Sequence, residues 1–118
     1  MRIGLLALPY SMRSALAGLA DMFWLANQVI TQNPTLNTDL SRETPFYDVK
    51  IVTRDGKPVR DVQGRLIESD GAFDDPEPFD VIIASGMQLD DQKYPLAKEA
   101  VDEAAAWLKE KYSQGSCI

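Results

Sequence analysis

The chain has no histidine and a single cysteine, Cys117. The first absence removes Ser-His-Asp and Cys-His catalysis, and histidine-ligated metal sites, from anything these residues do alone. The second excludes an internal disulfide and fits a reducing compartment, the cytoplasm. Positive charge is scarce as well: 12 Lys and Arg stand against 18 Asp and Glu, a net charge of −6. No stretch concentrates cations, and Lys109-Glu110-Lys111 alternates in sign. A surface of this kind repels phosphate backbones, so no nucleic acid is expected to bind through this segment. Long hydrophobic runs are missing too. Ala15–Ala26, the most apolar stretch, is interrupted by Gly18 and Asp21 and falls short of the ~20 residues a membrane span requires. The start, Met1–Leu8, is ended by Pro9 with no small-residue cleavage site after it, which argues against a signal peptide.

What is present reads as strands alternating with helices. Ile3–Leu8 is an apolar run without polar alternation, as expected of a strand buried on both faces. Met12, Leu16, Leu19, Phe23, Ala26 and Ile30 recur at steps of three and four and predict a helix from about Ser11 to Thr31. Trp24 and Leu25 fall off that stripe, either as ordinary surface apolar residues or as a subunit contact. Thr31–Pro45 is polar and broken by Asn33-Pro34, a surface loop. Tyr47–Thr53 reads as a second strand. The turns Asp55-Gly56 and Gln63-Gly64 then frame a hairpin excursion through Pro58–Val62 and Arg65–Glu68. After the acidic connector Asp74–Pro78, Phe79–Ala84 is the clearest central strand. A second helix is expected over Pro95–Tyr112, with Pro95 in its first turn and Ala97, Val101, Ala104 and Leu108 on its buried stripe. Gly115 stops it, and Ser116-Cys117-Ile118 looks like the opening of a further strand. The fold class is therefore α/β, a doubly wound, mostly parallel sheet. The sheet is expected to be incomplete at the C-terminus, with the natural protein continuing past Ile118.

Nucleotide motifs are absent: no G-x-G-x-x-G follows either buried strand, and Gly56-Lys57 lacks the glycine-rich loop of a phosphate-binding turn. Ligands of open α/β sheets sit beyond the carboxyl ends of the strands, where the winding reverses. The loops reaching that rim are Pro9-Tyr10-Ser11 and Ser85-Gly86-Met87, the candidate ligand-binding residues; the alternative is that they are plain strand-to-helix turns. Cys117 stands at the opening of its strand rather than at a nucleophile elbow, so it reads as a core cysteine and not a reactive thiol. No catalytic residue, metal ligand or cofactor is expected within the chain.

Several segments carry a family resemblance. Met1–Leu8, followed by Ala17-Gly18-Leu19-Ala20-Asp21-Met22-Phe23-Trp24-Leu25-Ala26-Asn27, resembles the first strand and helix of ThiJ/PfpI (class I glutamine amidotransferase-like) domains fused to AraC-type regulators. Val52–Val59 with Gln63-Gly64 and Asp70, Phe79–Gly86, and Trp107-Leu108 with Gly115 are similar to that family's excursion, central strand and helix end. The resemblance covers nearly the whole chain. It implies a flavodoxin-like sheet and a homodimer, with contact through Trp24 and Leu25 of the first helix as one candidate surface. It also implies a ligand-sensing and oligomerisation domain that binds a small metabolite without turnover, and a DNA-binding helix-turn-helix domain downstream. The alternative within the family is an amidase, isocyanide hydratase or glyoxalase-like enzyme whose cysteine nucleophile lies beyond residue 118. Two departures favour binding over catalysis. Ala15 stands where the enzymes place an acid, with Asp21 on another face of the helix, and the family's double-glycine turn is reduced to Ser85-Gly86-Met87.

Overall fold

Residues Ile3 to Leu8 are all buried, because the strand they form has helices on both of its faces. The computed structural model describes residues 1–33 and 45–118. Through them run β1 (Arg2–Leu6), α1 (Arg13–Gln32), β2 (Asp48–Thr53), β3 (Val59–Arg60), β4 (Leu66–Ile67), β5 (Gly71–Ala72), β6 (Val81–Ala84) and α2 (Lys98–Ser113). Four strands make one sheet in the order β5-β2-β1-β6, every pairing parallel. The chain thus winds from β1 outward to β2 and β5, then returns to place β6 on the other side of β1. The reversal of winding falls between β1 and β6. Residues 34–44, most of the expected Thr31–Pro45 loop, lie outside the described residues; Thr31 and Gln32 end α1.

Side chains of β1 alternate between two cores, as a strand's period of two requires. Ile3, Leu5 and Ala7 pack with Leu16 of α1 and with Ile67, joined by Leu19, Phe23 and Ile51. Leu6 and Leu8 face the other way, with Val52, Phe79, Ile82 and the α2 residues Ala104 and Trp107. Gly4 shares this second face. A Cβ built there would come within 3.2 Å of the Phe79 ring, so the absent side chain is what lets Phe79 lie over the strand. Arg2 covers the outside of that ring, its guanidinium carbon 4.6 Å from the centroid.

The stripe expected on α1 is borne out at Leu16, Leu19, Phe23, Ala26 and Ile30, while Met12 precedes the helix and is exposed. Asn27 fastens α1 to the start of β2: its amide donates to the Tyr47 carbonyl and accepts the Tyr47 N–H, both at 2.9 Å. The hairpin β3–β4 is antiparallel, and Gly56 and Gly64 in its flanking turns both have φ +78°. It is held to the body by Arg13, whose guanidinium reaches Asp61 at 3.2 Å and the Leu66 carbonyl.

Four details depart from the sequence reading. β5 has no apolar run to announce it: Gly71–Ala72 pairs with Val52 and Thr53 while Asp75 accepts the Ala72 N–H at 3.0 Å. The α2 helix starts at Lys98, not in the turn holding Pro95. Pro95 is taken up in a bridge with Leu89, and Asp90 accepts the N–H groups of Gln92 and Tyr94, so the chain is turning where helix was expected. Its buried face is also rotated, with Trp107 rather than Leu108 innermost. The Trp107 ring stacks on Phe73 at 4.3 Å and 7°, and its Nε1–H donates to the Phe73 carbonyl at 2.9 Å. Past Gly115, at φ +106°, Cys117 pairs in parallel with Val81 as a further strand would. Cys117 is nonetheless exposed, not a core cysteine. Its backbone is held by β6, but the residue turned inward is Ser116, whose hydroxyl donates to the Phe79 carbonyl at 2.6 Å.

Candidate functional site

The two loops singled out from sequence meet at the reversal of winding, beyond the carboxyl ends of β1 and β6. Ser11 and Met87 form an antiparallel bridge: the Met12 N–H donates to the Gly86 carbonyl at 2.9 Å and the Gln88 N–H to the Tyr10 carbonyl at 3.0 Å. The first loop is tied to the hairpin as well, through Tyr10 N–H to Arg60 carbonyl and Val62 N–H to Ser11 carbonyl. Ser11 is buried, and its hydroxyl accepts the Leu8 N–H at 2.9 Å. Tyr10 is left-handed, φ 67°, a conformation costing an L-residue about 1–2 kcal/mol; the bonds on either side of it hold it there. Gly86 is covered by Met12, whose sulfur stands 3.7 Å from where a Cβ would be. The Ser85 hydroxyl is buried with no hydrogen-bond partner among the described residues. These residues knit three segments together more than they line an open space.

The larger opening lies one strand over. A cavity of about 620 Å³ sits beyond the carboxyl ends of β1 and β2, on the α2 side of the sheet. Of the predicted residues only Pro9 lines it. Ala7 and Leu8 form part of its floor, Phe73 and Val59 its apolar wall, and Arg54, Lys57 and the first turn of α2 its polar rim. An ion pair of 2.8 Å between Arg54 and Glu103 spans from the end of β2 to α2. The signal for these residues was available: the rule that led to Pro9 and Ser85 applies equally to the end of β2, where Arg54-Asp55-Gly56-Lys57 follows the strand.

This architecture recurs among solved structures. A protein of Vibrio parahaemolyticus, designated a candidate transcriptional regulator, superposes with a TM-score of 0.68 at 12% identity, over 98% of this chain and 53% of its own. DJ-1 of Toxoplasma gondii in its oxidized form gives 0.61 at 16%, over 98% and 52%. A DJ-1 superfamily protein of Agrobacterium tumefaciens gives 0.59 at 17%, over 98% and 50%. The chain has the DJ-1/ThiJ fold. It spans about half the length of these structures. The sequence itself matches no family model and no curated protein.

Within this DJ-1/ThiJ fold, Cys117 lies beside Val81, at the amino end of β6, while the cavity opens at the carboxyl edge of the sheet. Asp21 is exposed on α1 and lines none of the cavity. Among the described residues no cluster of acidic or thiol side chains is arranged to hold a metal, and no helix is long and apolar enough to cross a membrane.

Trp24 and Leu25 are both exposed, at 60% and 57%, but on different sides of α1. Leu25 continues a row with Met22 and Val29, exposed at 52% and 54%, in the three- and four-residue steps of one helix face. Trp24 instead borders a groove shared with Asn27, Tyr47 and Val49.

Asp61 adjoins the polar Gln63-Gly64 turn, which gives it no signature in the sequence. It is buried, and one oxygen accepts the N–H groups of Gln63 (2.8 Å) and Arg65 (2.9 Å) while the other faces Arg13. Burial is the largest single influence and would raise its pKa, but the Arg65 and Gln63 N–H groups and the charges of Arg13 and Arg65 together hold it below the usual 3.8. A depressed carboxyl stabilises the fold above its unfolded value and loses that contribution as pH falls through its folded value. Asp61→Asn is therefore expected to lower the Tm at neutral pH, with the gap to the parent closing as pH drops below 3.8. Thermal melts in a pH series check this; a gap that stays constant into acid would refute it.

Proposed function

We propose that this chain is the ligand-sensing and oligomerisation domain of an AraC-type transcription regulator, acting in the cytoplasm. A helix-turn-helix domain beyond Ile118 would contact DNA. The observation that carries the reading is the separation between the cavity and the one thiol: an open space lies at the carboxyl edge, and Cys117 at the other. With no histidine in the sequence, nothing here pairs a nucleophile with an imidazole base. The likeness in fold to the Vibrio protein, and the coverage of about half of it, support the same reading. A small metabolite would bind at the carboxyl edge, among the Pro9-Tyr10-Ser11 and Ser85-Gly86-Met87 loops and the adjoining cavity. The bonds linking those loops to the hairpin give ligand occupancy a route to neighbouring segments. A second copy of the chain would pack on the Met22-Leu25-Val29 row of α1.

The test is a mobility-shift comparison on the promoter fragment of the protein's own gene. The protein extended past Ile118 is expected to retard the fragment, and residues 1–118 are expected not to, as a net charge of −6 dictates. Salt-sensitive binding by residues 1–118 would sink the reading. Turnover of methylglyoxal or an isocyanide that persists through purification would replace it with the enzymatic one.

A further inference from the structure

We propose that residues 54–66 form a lid on the cavity beyond β1 and β2, latched shut where Asp61 meets Arg13. Both ends of the stretch are anchored, since Thr53 and Ile67 are buried. Between them Val59 and Val62 are half-buried, and Asp61 alone among these described residues is buried; the others are exposed. A segment that removes so little apolar surface from water gains little by staying docked and opens locally at low cost. Its first arm borders the cavity, with Arg54, Asp55, Lys57, Pro58 and Val59 in the lining, so lifting the segment takes away one wall. Such a lid serves a sensor and an enzyme alike, and its failure would leave the regulator reading standing.

What keeps the lid down is mainly polar. The Tyr10 N–H donates to the Arg60 carbonyl at 3.0 Å, and the Val62 N–H to the Ser11 carbonyl at 3.2 Å. Arg13 donates to the Leu66 carbonyl and pairs with Asp61 at 3.2 Å. Asp61 also shapes the lid itself. Its N–H donates to the Arg65 carbonyl at 2.8 Å, while its carboxylate accepts the N–H groups of Gln63 and Arg65. One side chain thus folds the tip and fastens it to α1. With Arg13 in place the buried carboxylate is compensated; without it the charge keeps its cost of burial and loses its partner, which favours release into water. The Arg54–Glu103 pair joins exposed side chains and adds little to closure. Closure also holds Tyr10 at φ 67°, and opening frees its N–H to leave that strained conformation.

Amide hydrogen exchange of the ¹⁵N-labelled protein tests the lid. Relative to their free-peptide rates, Val62 and Arg65 are expected to exchange at least about tenfold faster than Leu5 and Leu6 of the central strand. Sub-denaturing urea should hasten Leu5 and Leu6, which need the whole fold to open, and leave Val62 and Arg65 unmoved. Arg13→Met should speed Val62 and Arg65 by at least about tenfold. Trp107→Ala, whose lost contact with Phe73 lies outside the lid, should speed Leu5 and Leu6 alone; if that variant unfolds, the urea series gives the same comparison. A thiol in the cavity floor reads access to it. Leu8→Cys, at a buried lining position and combined with Cys117→Ser, should react with a thiol reagent at a rate that Arg13→Met raises and low urea leaves alone. Val62 and Arg65 exchanging at the pace of Leu5 and Leu6, following them in urea, or ignoring Arg13→Met would each overturn the proposal. So would a Leu8→Cys thiol whose reaction Arg13→Met leaves unchanged.

Discussion

Trp107→Ala is expected to destabilise the protein by about 3–5 kcal/mol, whereas Trp24→Ala should change its stability by no more than about 0.5 kcal/mol. The two tryptophans differ in what surrounds them. Trp107 is buried, stacked on Phe73, and donates to the Phe73 carbonyl; it closes the core that Leu6, Leu8 and Val52 build on the α2 side. Removing it opens a void, exposes Phe73 and leaves a carbonyl without its donor. Trp24 is 60% exposed, and its loss uncovers little. Urea unfolding followed by circular dichroism gives both values. A Trp107→Ala variant within 1 kcal/mol of the parent, on the order of an ordinary surface change, would mean that α2 does not pack as described.

The second large effect sets two glycines against each other. Gly4→Val should cost about 1–3 kcal/mol, since even the first added carbon would approach the Phe79 ring at 3.2 Å and the branch must displace it. Gly18→Ala should instead gain about 0.5–1 kcal/mol, because Gly18 lies inside α1 with nothing within 4 Å of where its Cβ would stand. Urea midpoints for both variants, measured with the parent in parallel, decide the matter. Equal and opposite signs are not required; a stabilising Gly4→Val would show that Phe79 does not lie over β1.

Much of this fold can be read from the residues. β1 and β6 are legible because each is a short apolar run with abrupt punctuation, Pro9 after one and Gly86 after the other. The hairpin is legible through Asp55-Gly56 and Gln63-Gly64, since glycine alone takes φ +78° without strain. The elements that escaped are those whose cause is not periodic. β5 exists because Asp70 and Asp75 hold backbone N–H groups at the sheet margin, an arrangement of polar groups that leaves no apolar signature. The face of α2 came out one residue off because Val101 and Leu108 fit a stripe as well as Ala100 and Trp107 do; the aromatic contact with Phe73 decides between them, and it spans 34 positions. For the site, the rule of carboxyl ends leads to the edge of the sheet at which the cavity opens. It did not distinguish the loops at β1 and β6, which bond to one another, from the end of β2, where space remains. That difference depends on the Ser11–Met87 bridge, a pairing of distant loops.

The two flanks of the sheet are unequal in what they offer to another chain. At β5 the N–H of Ala72 is held by Asp75, and any residue larger than glycine at position 71 would collide with the same carboxylate, 2.5 Å from its Cβ. An incoming strand would meet a carboxylate and its negative charge at this margin, a usual defence of a sheet edge against accretion. Lateral extension of this sheet is thereby opposed at β5, while on the side of β6 the pairing of Val81 with Cys117 already continues it.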